Sequence, residues 1–343
     1  MRFFIVFYLI LSSWSSALAG DFQDIPRSSD WYISTAYASE IGIFSGYEDG
    51  SFKPNRILNR AEALKIITRA AKIPADIHPA NPFEDVRRDQ WFYSYVTAAF
   101  HRGIISKNTE FSPGRSVNKA EFLKMLIKAF QIDPEQYELQ AKTDDLDIDA
   151  WYAPYFQFAL QYEIITVDTE NLIYPAEYIS RGDAADIIFF LLKSGEGLDA
   201  QTLLLLAEKE IIFLLESEIK TLSPEIAQAF EKAHFFVNTA GENLPENKVI
   251  RAAKKTIQSL ESIVQAKKIS TTIPPDPEEM QKALENAEFL ATQAVEINPH
   301  QSEILTQIKG IATTIREGLV PISDEIPEED EDETDSSAET TNK

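Results

Sequence analysis

A basic residue follows a helix-capping residue at three points, Asn59-Arg60-Ala61-Glu62, Asn118-Lys119-Ala120-Glu121 and Ser180-Arg181-Gly182-Asp183. Asn or Ser followed three residues later by Glu or Asp has the spacing of an N-cap and its N3 partner. The cation then occupies the first helical position, where the helix dipole disfavours it. An anion at this point would gain both the side chain and the free N–H groups of the helix start. The pattern indicates an anion site at each copy, with a solvated cation as the alternative.

Three tryptophans recur at a spacing of 60 residues: Trp31, Trp91 and Trp151. Each precedes an aromatic residue at the predicted start of a helix. A buried indole would add a large apolar area to the core, whereas an exposed one would stack against a sugar ring. The helix-start position favours the core, and both interpretations remain open at this point.

The cations and tryptophans belong to a unit repeated three times. The first copy contains Phe22-x-Asp24 and Gly46-Tyr47-x-Asp49-Gly50-x-Phe52-x-Pro54, the second Phe83-x-Asp85 and Phe111-x-Pro113, and the divergent third Asp145 and Tyr174-Pro175. After each cap the apolar residues recur at helical spacing. We therefore expect helix–loop–helix repeats that pack together as one domain.

These motifs resemble the S-layer homology domain, most closely in the first copy. The resemblance implies a mostly α fold in which three helix–loop–helix repeats, at 20–80, 81–141 and a degenerate 142–196, form a pseudo-threefold spindle. It also implies a chain at the cell surface, anchored non-covalently to the envelope. The implied ligand is an anionic, often pyruvylated, secondary cell-wall polysaccharide or a peptidoglycan-linked glycan, bound in grooves between the prongs.

The resemblance also implies a role for nine residues. The anion would be bound by Arg60, Lys119 and Arg181. Sugar hydroxyls would be bound by Asp24, Asp85 and Asp145. The groove walls would be formed by Trp31, Trp91 and Trp151.

The three grooves are expected to be unequal. Lys119 lacks the planar fork that lets Arg bind a carboxylate with two hydrogen bonds. Residues 21–141 contain 15 Lys and Arg against 16 Asp and Glu, whereas residues 142–195 contain 3 against 10. The acidic third repeat should repel an anionic polymer. We therefore expect one or two working grooves, with the site around Arg60 as the best candidate.

The chain ends and the composition limit the class of protein. Residues 1–19 have the charged start, apolar core and Ala17-Leu18-Ala19 site of a secretory signal, with an uncleaved anchor as the alternative. No later segment approaches the length of a membrane span. The chain of 343 residues has no cysteine and a net charge of −23, which excludes disulfides and argues against nucleic-acid binding. Residues 323–343, with ten acidic residues, are expected to be a disordered tail.

Residues 197–322 are predicted to form a helical bundle or hairpin array. Apolar spacing and prolines place helices at about 203–222, 224–240, 246–268, 277–297 and 300–317. The alternative function lies in this region: the repeats would be only a scaffold, and these helices would bind an envelope protein or self-associate.

The sequence indicates neither catalysis nor a metal site. The four histidines lack metal-ligand spacing and a neighbour that would make one a general base. Asp145-x-Asp147-x-Asp149 alternates like a calcium loop but has Ala150 and Phe156 where an EF-hand requires Gly and Glu. We expect no enzyme activity, cofactor or metal.

Overall fold

The structure, a computed structural model, describes residues 22–75, 81–136, 143–195, 197–217, 223–244, 246–271 and 276–317. The predicted secretory signal at 1–19 and acidic tail at 323–343 lie outside these residues. Within them the chain is mostly helical, and β pairing occurs only as three isolated bridges, Ile57–Ser180, Asn59–Ser116 and Asn118–Tyr178. The prediction of a mostly α fold is confirmed.

Each repeat contributes two helices joined by a loop. The first helices are α1 (Tyr32–Glu40), α3 (Tyr93–His101) and α5 (Ala153–Gln161), and the second are α2 (Arg60–Ala70), α4 (Lys119–Ala129) and α6 (Arg181–Ser194). Two short 3-10 helices lie at Pro134–Gln136 and Pro299–Gln301. The helix–loop–helix prediction is confirmed.

The second helices begin at the capping residues. Asn59 and Asn118 accept the N–H of Glu62 and Glu121, whose carboxylates accept the cap N–H in return. Ser180 accepts the N–H of Asp183 at 3.1 Å, while the Asp183 carboxylate accepts the Ser180 hydroxyl at 2.7 Å. The third cap therefore satisfies the helix N–H but leaves out the returning bond to the cap backbone.

Three backbone hydrogen bonds close the repeats into a ring. The N–H of Leu58 donates to Ile179 O (3.0 Å), that of Ile179 to Val117 O (2.9 Å), and that of Val117 to Leu58 O (3.1 Å). Their side chains are at most 1% exposed. Because the third repeat bonds to the first as the others bond to each other, the arrangement has pseudo-threefold symmetry.

One residue in each loop is held from both sides, and we call Phe52, Phe111 and Ile173 the latch residues. Their N–H groups donate at 2.7 to 3.0 Å to carboxylates of the same repeat, those of Asp24, Asp85 and Asp145. Their carbonyls accept at 2.9 Å from cations of the preceding repeat, in the order Arg181, Arg60 and Lys119. The latch thus joins neighbouring repeats.

The residue after each latch residue has a positive φ: 59° at Lys53, 58° at Ser112 and 52° at Tyr174. This left-handed conformation is unfavourable for residues with a side chain. The second oxygen of each latch aspartate accepts the N–H of that residue, at 2.6 or 2.7 Å. One carboxylate therefore stabilises two consecutive peptide units of a strained loop.

Five further helices follow the repeats: α7 (Ala200–Glu216), α8 (Pro224–Asn243), α9 (Lys248–Ser270), α10 (Pro277–Ile297) and α11 (Ser302–Glu317). Helix α7 packs against α8, and α9 against α10 and α11. Ser223, Asn247 and Asp276 cap the starts of α8, α9 and α10. The predicted helices are found here, with ends shifted by up to six residues.

The helical region is packed on the repeats through a buried carboxylate. Glu210 of α7 is 1% exposed, pairs with Arg27 and accepts the Tyr32 hydroxyl at 3.0 Å. The Arg27 guanidinium also lies 4.1 Å from the ring centre of Phe213. Because the carboxylate and the cation are largely removed from water, their pairing fixes α7 against the first repeat.

In the described part of the chain, no helix combines the length and apolarity needed to cross a membrane.

Replacing a latch aspartate should destabilise the fold. Asp85→Ala leaves the N–H groups of Phe111 and Ser112 without their acceptor, and we expect a loss of about 2 to 4 kcal/mol. Urea unfolding followed by circular dichroism measures this loss. Asp89→Ala is the control, because that side chain is 75% exposed and pairs only with a surface arginine. Equal losses in the two variants would contradict the latch.

Candidate functional site: the grooves between neighbouring repeats

The predicted anion site at the helix starts is already filled by protein groups. The N–H groups of Arg60 and Ala61 donate to the carbonyls of Arg115 and Pro113, at 2.9 and 3.1 Å. The same bonds occur at the other two helix starts, and the capping side chain accepts the third N–H. The expectation of free N–H groups is therefore wrong, because the neighbouring loop supplies carbonyl acceptors.

The three cations have a structural role that the sequence interpretation missed. Each binds a latch carbonyl, and Arg181 also donates to Ser45 O at 3.0 Å. The side chains of Arg60 and Lys119 are 18% and 19% exposed, and Arg181 is 8% exposed. A cation at this unfavourable helix position is thus explained by its hydrogen bond to the latch carbonyl of the next repeat, which helps to close the ring. Whether Arg60, Lys119 or Arg181 also contacts a ligand stays a prediction.

The aspartates predicted to bind sugar hydroxyls, Asp24, Asp85 and Asp145, use both carboxylate oxygens to hold loop N–H groups. Their contact with a sugar stays a prediction. Their spacing before the latch residue, 26 or 28 positions, recurs in the three repeats and was the available signal for the structural role.

The three tryptophans do not occupy equivalent positions. Trp31 is the cap residue of α1, and its counterparts before α3 and α5 are Phe92 and Tyr152. The preceding position holds Asp30 in the first repeat, where the other repeats have Trp91 and Trp151. One additional residue between Asp24 and Trp31 causes this shift, because Trp91 and Trp151 lie one position closer to Asp85 and Asp145. The 60-residue spacing therefore misled the alignment of the first repeat.

Trp91 and Trp151 are exposed to 54% and 52% of their surface, so the core interpretation is wrong for these two. Each indole has a lysine of the preceding repeat beside it. The Lys65 ammonium lies 5.5 Å from the Trp91 ring centre, and the Lys124 ammonium 4.6 Å from that of Trp151. We call the space between α2 and α3, around Lys65 and Trp91, the first groove, and that between α4 and α5, around Lys124 and Trp151, the second groove.

The second groove continues into a polar cavity of about 540 Å³. Trp151 and Tyr155 supply aromatic walls, and Arg102 and Lys128 add positive charge. Asp133 and Glu135 also line the cavity and contribute acceptors. Aromatic faces combined with a few charged and hydrogen-bonding groups are the features of a site for a polar ligand with a ring.

Sequence reasoning missed Lys65 and Lys124. Both lie five positions after the basic residue of the repeated motif, which was the available signal. The corresponding residue in the third repeat is Asp186, so the third groove, between α6 and α1, has an aspartate in place of the lysine. Asp30 replaces the exposed tryptophan in the same groove.

The carboxyl group of Asp186 has a raised pKa. Burial raises the pKa of this carboxyl to about 7, and the nearby charges of Asp183 and Asp30 act in the same direction. A hydrogen bond from Ser34 of α1 opposes the shift. A protonated acid can be packed between two helices at a lower cost than a carboxylate.

Among the described residues, no group of three potential metal ligands is close enough to hold an ion.

A family model described as S-layer homology domain matches residues 21–64, 82–123 and 142–185. The chain contains three tandem S-layer homology domains. The expected resemblance and its three copies are confirmed. Each match ends within the second helix of its repeat, so it includes the latch residue and the capped helix start.

Curated relatives match about half of the chain. The Surface-layer 125 kDa protein of Lysinibacillus sphaericus is 30% identical over 163 residues, 46% of this chain and 13% of that protein. S-layer protein EA1 of Bacillus anthracis is 27% identical over 176 residues, 50% of this chain and 20% of that protein. Amylopullulanase of Thermoanaerobacterium thermosulfurigenes is 29% identical over 161 residues, 45% of this chain and 8% of that protein.

The matches thus cover at most a fifth of each of these three relatives and about half of this chain. The domains and the surface-layer relatives associate this chain with the cell surface. The predicted localisation is confirmed.

The raised pKa of Asp186 predicts a specific pH dependence of stability. The ordinary pKa of an aspartate is 3.8, and that of Asp186 is about 7, so between these values the folded state binds one more proton than the unfolded state. Stability should therefore fall as pH rises through this window, by about 1 kcal/mol per pH unit, and level off above it.

Asp186→Asn should lose this dependence, because the amide is neutral at every pH. The melting temperature of the variant, relative to that of the unchanged chain, should therefore rise between pH 4.5 and 7.5. Differential scanning calorimetry over this range is the measurement. A constant difference would show that Asp186 is ionised in the folded protein.

Proposed function

We propose that this chain is a non-catalytic anchor that binds an anionic cell-wall glycan through the first and second grooves. The observation that supports it most directly is a half-exposed indole with an ammonium beside it, present in both grooves. An indole face can stack on the apolar side of a sugar ring, and an ammonium attracts a carboxylate. A pyruvate ketal or a uronic acid presents both groups on one residue.

The surface-layer relatives support a place at the cell surface for such an anchor. Amylopullulanase, a relative named as an enzyme, shares only 8% of its length with this chain. We propose accordingly that the activity of such relatives resides in segments that this chain does not match.

The anionic character of the ligand is proposed from the local charge of the grooves, since the chain as a whole has a net charge of −23. Lys124, Lys128 and Arg102 lie around the second groove and outnumber the two acidic residues that line it, Asp133 and Glu135. At physiological salt, charges further than about 8 Å are largely screened, so these neighbours determine the attraction more than the net charge does.

Binding to purified cell-wall sacculi tests the proposal, with sacculi stripped of their attached polysaccharide as the comparison. The chain without residues 1–19 should sediment with intact sacculi and should stay in solution with stripped ones. Sedimentation with both would point to peptidoglycan itself, and sedimentation with neither would contradict anchoring through these grooves.

Two double variants should separate the grooves from the remaining surface. Lys65→Ala with Trp91→Ala and Lys124→Ala with Trp151→Ala should each weaken binding to sacculi by roughly tenfold, about 1.4 kcal/mol. Lys282→Ala with Phe289→Ala is the matched control, because it removes an exposed lysine and an exposed aromatic residue of α10. Equal weakening in all three would show that the effect is general charge and surface loss.

A further inference from the structure

The third groove has the opposite chemistry to the other two. Asp186 replaces the lysine and Asp30 replaces the exposed tryptophan, so neither an ammonium nor an exposed indole is offered there. Asp183 and Asp30 are both near enough to Asp186 for their charges to act on its carboxyl group. An acidic sugar that enters this groove would meet the negative charges of Asp183 and Asp30, with a repulsive interaction, and no lysine from α6 to offset them.

Trp31 fills the space that would otherwise be this groove. A Cβ on Gly182 would lie 2.7 Å from two carbons of the indole, so only glycine permits this close packing. The equivalent positions in the other repeats hold Ala61 and Ala120. The indole N–H donates to Asp183 at 3.3 Å, which fixes the ring against the start of α6.

Helix α1 is covered on its other side by the helical region. The Tyr37 hydroxyl accepts the N–H of Asp199 at 2.7 Å, and Lys209 of α7 pairs with Glu40 at 3.1 Å. Phe189 of α6 faces Phe235 of α8, with ring centres 6.1 Å apart. At the seam between the third and first repeats, helix α1 therefore packs against α6 on one side, and the helices α7 and α8 cover the seam on another side.

We propose that the third groove is a closed joint that fixes the helical region to the ring and excludes acidic glycans. Resting on the function proposed above, this leaves two glycan sites per chain, and both border the second repeat. The helical region is attached at the seam that does not involve that repeat. The ring thus separates the surface that faces the wall from the surface that holds the rest of the chain.

The closure of the joint can be tested without any ligand. In the chain without residues 1–19, Trp91→Phe with Trp151→Phe leaves Trp31 as the sole tryptophan. Its emission should be blue-shifted, and its acrylamide quenching constant should be several-fold lower than that of the variant with Trp31→Phe and Trp151→Phe, in which the exposed Trp91 is the sole tryptophan. Equal quenching in the two variants would overturn the joint.

Gly182→Ala in the same single-tryptophan background provides the second test. The added Cβ collides with the indole, so Trp31 should become more accessible to acrylamide and its emission should shift to the red. Gly310→Ala is the matched control, because a Cβ there meets no atom within 4 Å. An unchanged Trp31 signal in Gly182→Ala would show that the indole does not depend on the glycine and would overturn the packing argument.

The number of sites is measured by calorimetric titration with a 4,6-pyruvylated mannoside as the probe. The unchanged chain should bind two molecules, and Lys65→Ala with Lys124→Ala should bind with at least roughly tenfold lower affinity. Three molecules bound, or a site in the double variant whose occupation shifts Trp31 emission, would overturn the exclusion while leaving the proposed function intact. If the unchanged chain binds none, the acidic-sugar proposal is wrong, and the quenching measurements decide the joint by themselves.

Discussion

The ring depends on one peptide unit in each loop that is held at both ends. An aspartate of the same repeat accepts its N–H, and a cation of the preceding repeat donates to its carbonyl. Because Arg181 of the third repeat reaches Phe52 of the first, the three contacts form a closed cycle. A buried cation is tolerated only when hydrogen-bonded, so Arg181 favours the closed form over an open array.

This cycle explains why the strongest sequence motif lies beside the candidate binding surface and has little of its own surface exposed. The helix-start cations and the latch aspartates form hydrogen bonds to the loop backbone, so they fix the positions of the loops. The loops and helix starts in turn place Trp91 and Trp151 over lysines of the preceding repeat. A ligand contact built across two repeats requires the ring to be closed first, since neither repeat supplies both groups.

Local signals in the sequence were sufficient to predict the helices and their caps, because an N-cap and its N3 partner are only three residues apart. They were insufficient for contacts between repeats. Lys65 contacts a tryptophan 26 positions later, and Arg60 contacts a carbonyl 51 positions later. Neither separation corresponds to the period of a helix or a strand. The prediction that Trp31 is equivalent to the other two tryptophans was wrong for a similar reason. One additional residue in a turn leaves the spacing of the tryptophans intact and changes which side chain faces the groove.

The packing of the third repeat against the first repeat and the helical region gives a physical reason for its divergent sequence. A ring with three equal grooves has no preferred place for another domain, because each seam would bind the same glycan. Changes at Asp30, Gly182 and Asp186 remove the ammonium and the exposed indole from one seam and allow it to pack tightly. Helix α7 can then dock at this one seam, where its Glu210 is 1% exposed and pairs with Arg27. By sequence, the acidic, glycine-containing third repeat looks like a degenerate copy. In this arrangement it is the repeat that gives the ring one side for the helical region and another for the glycan.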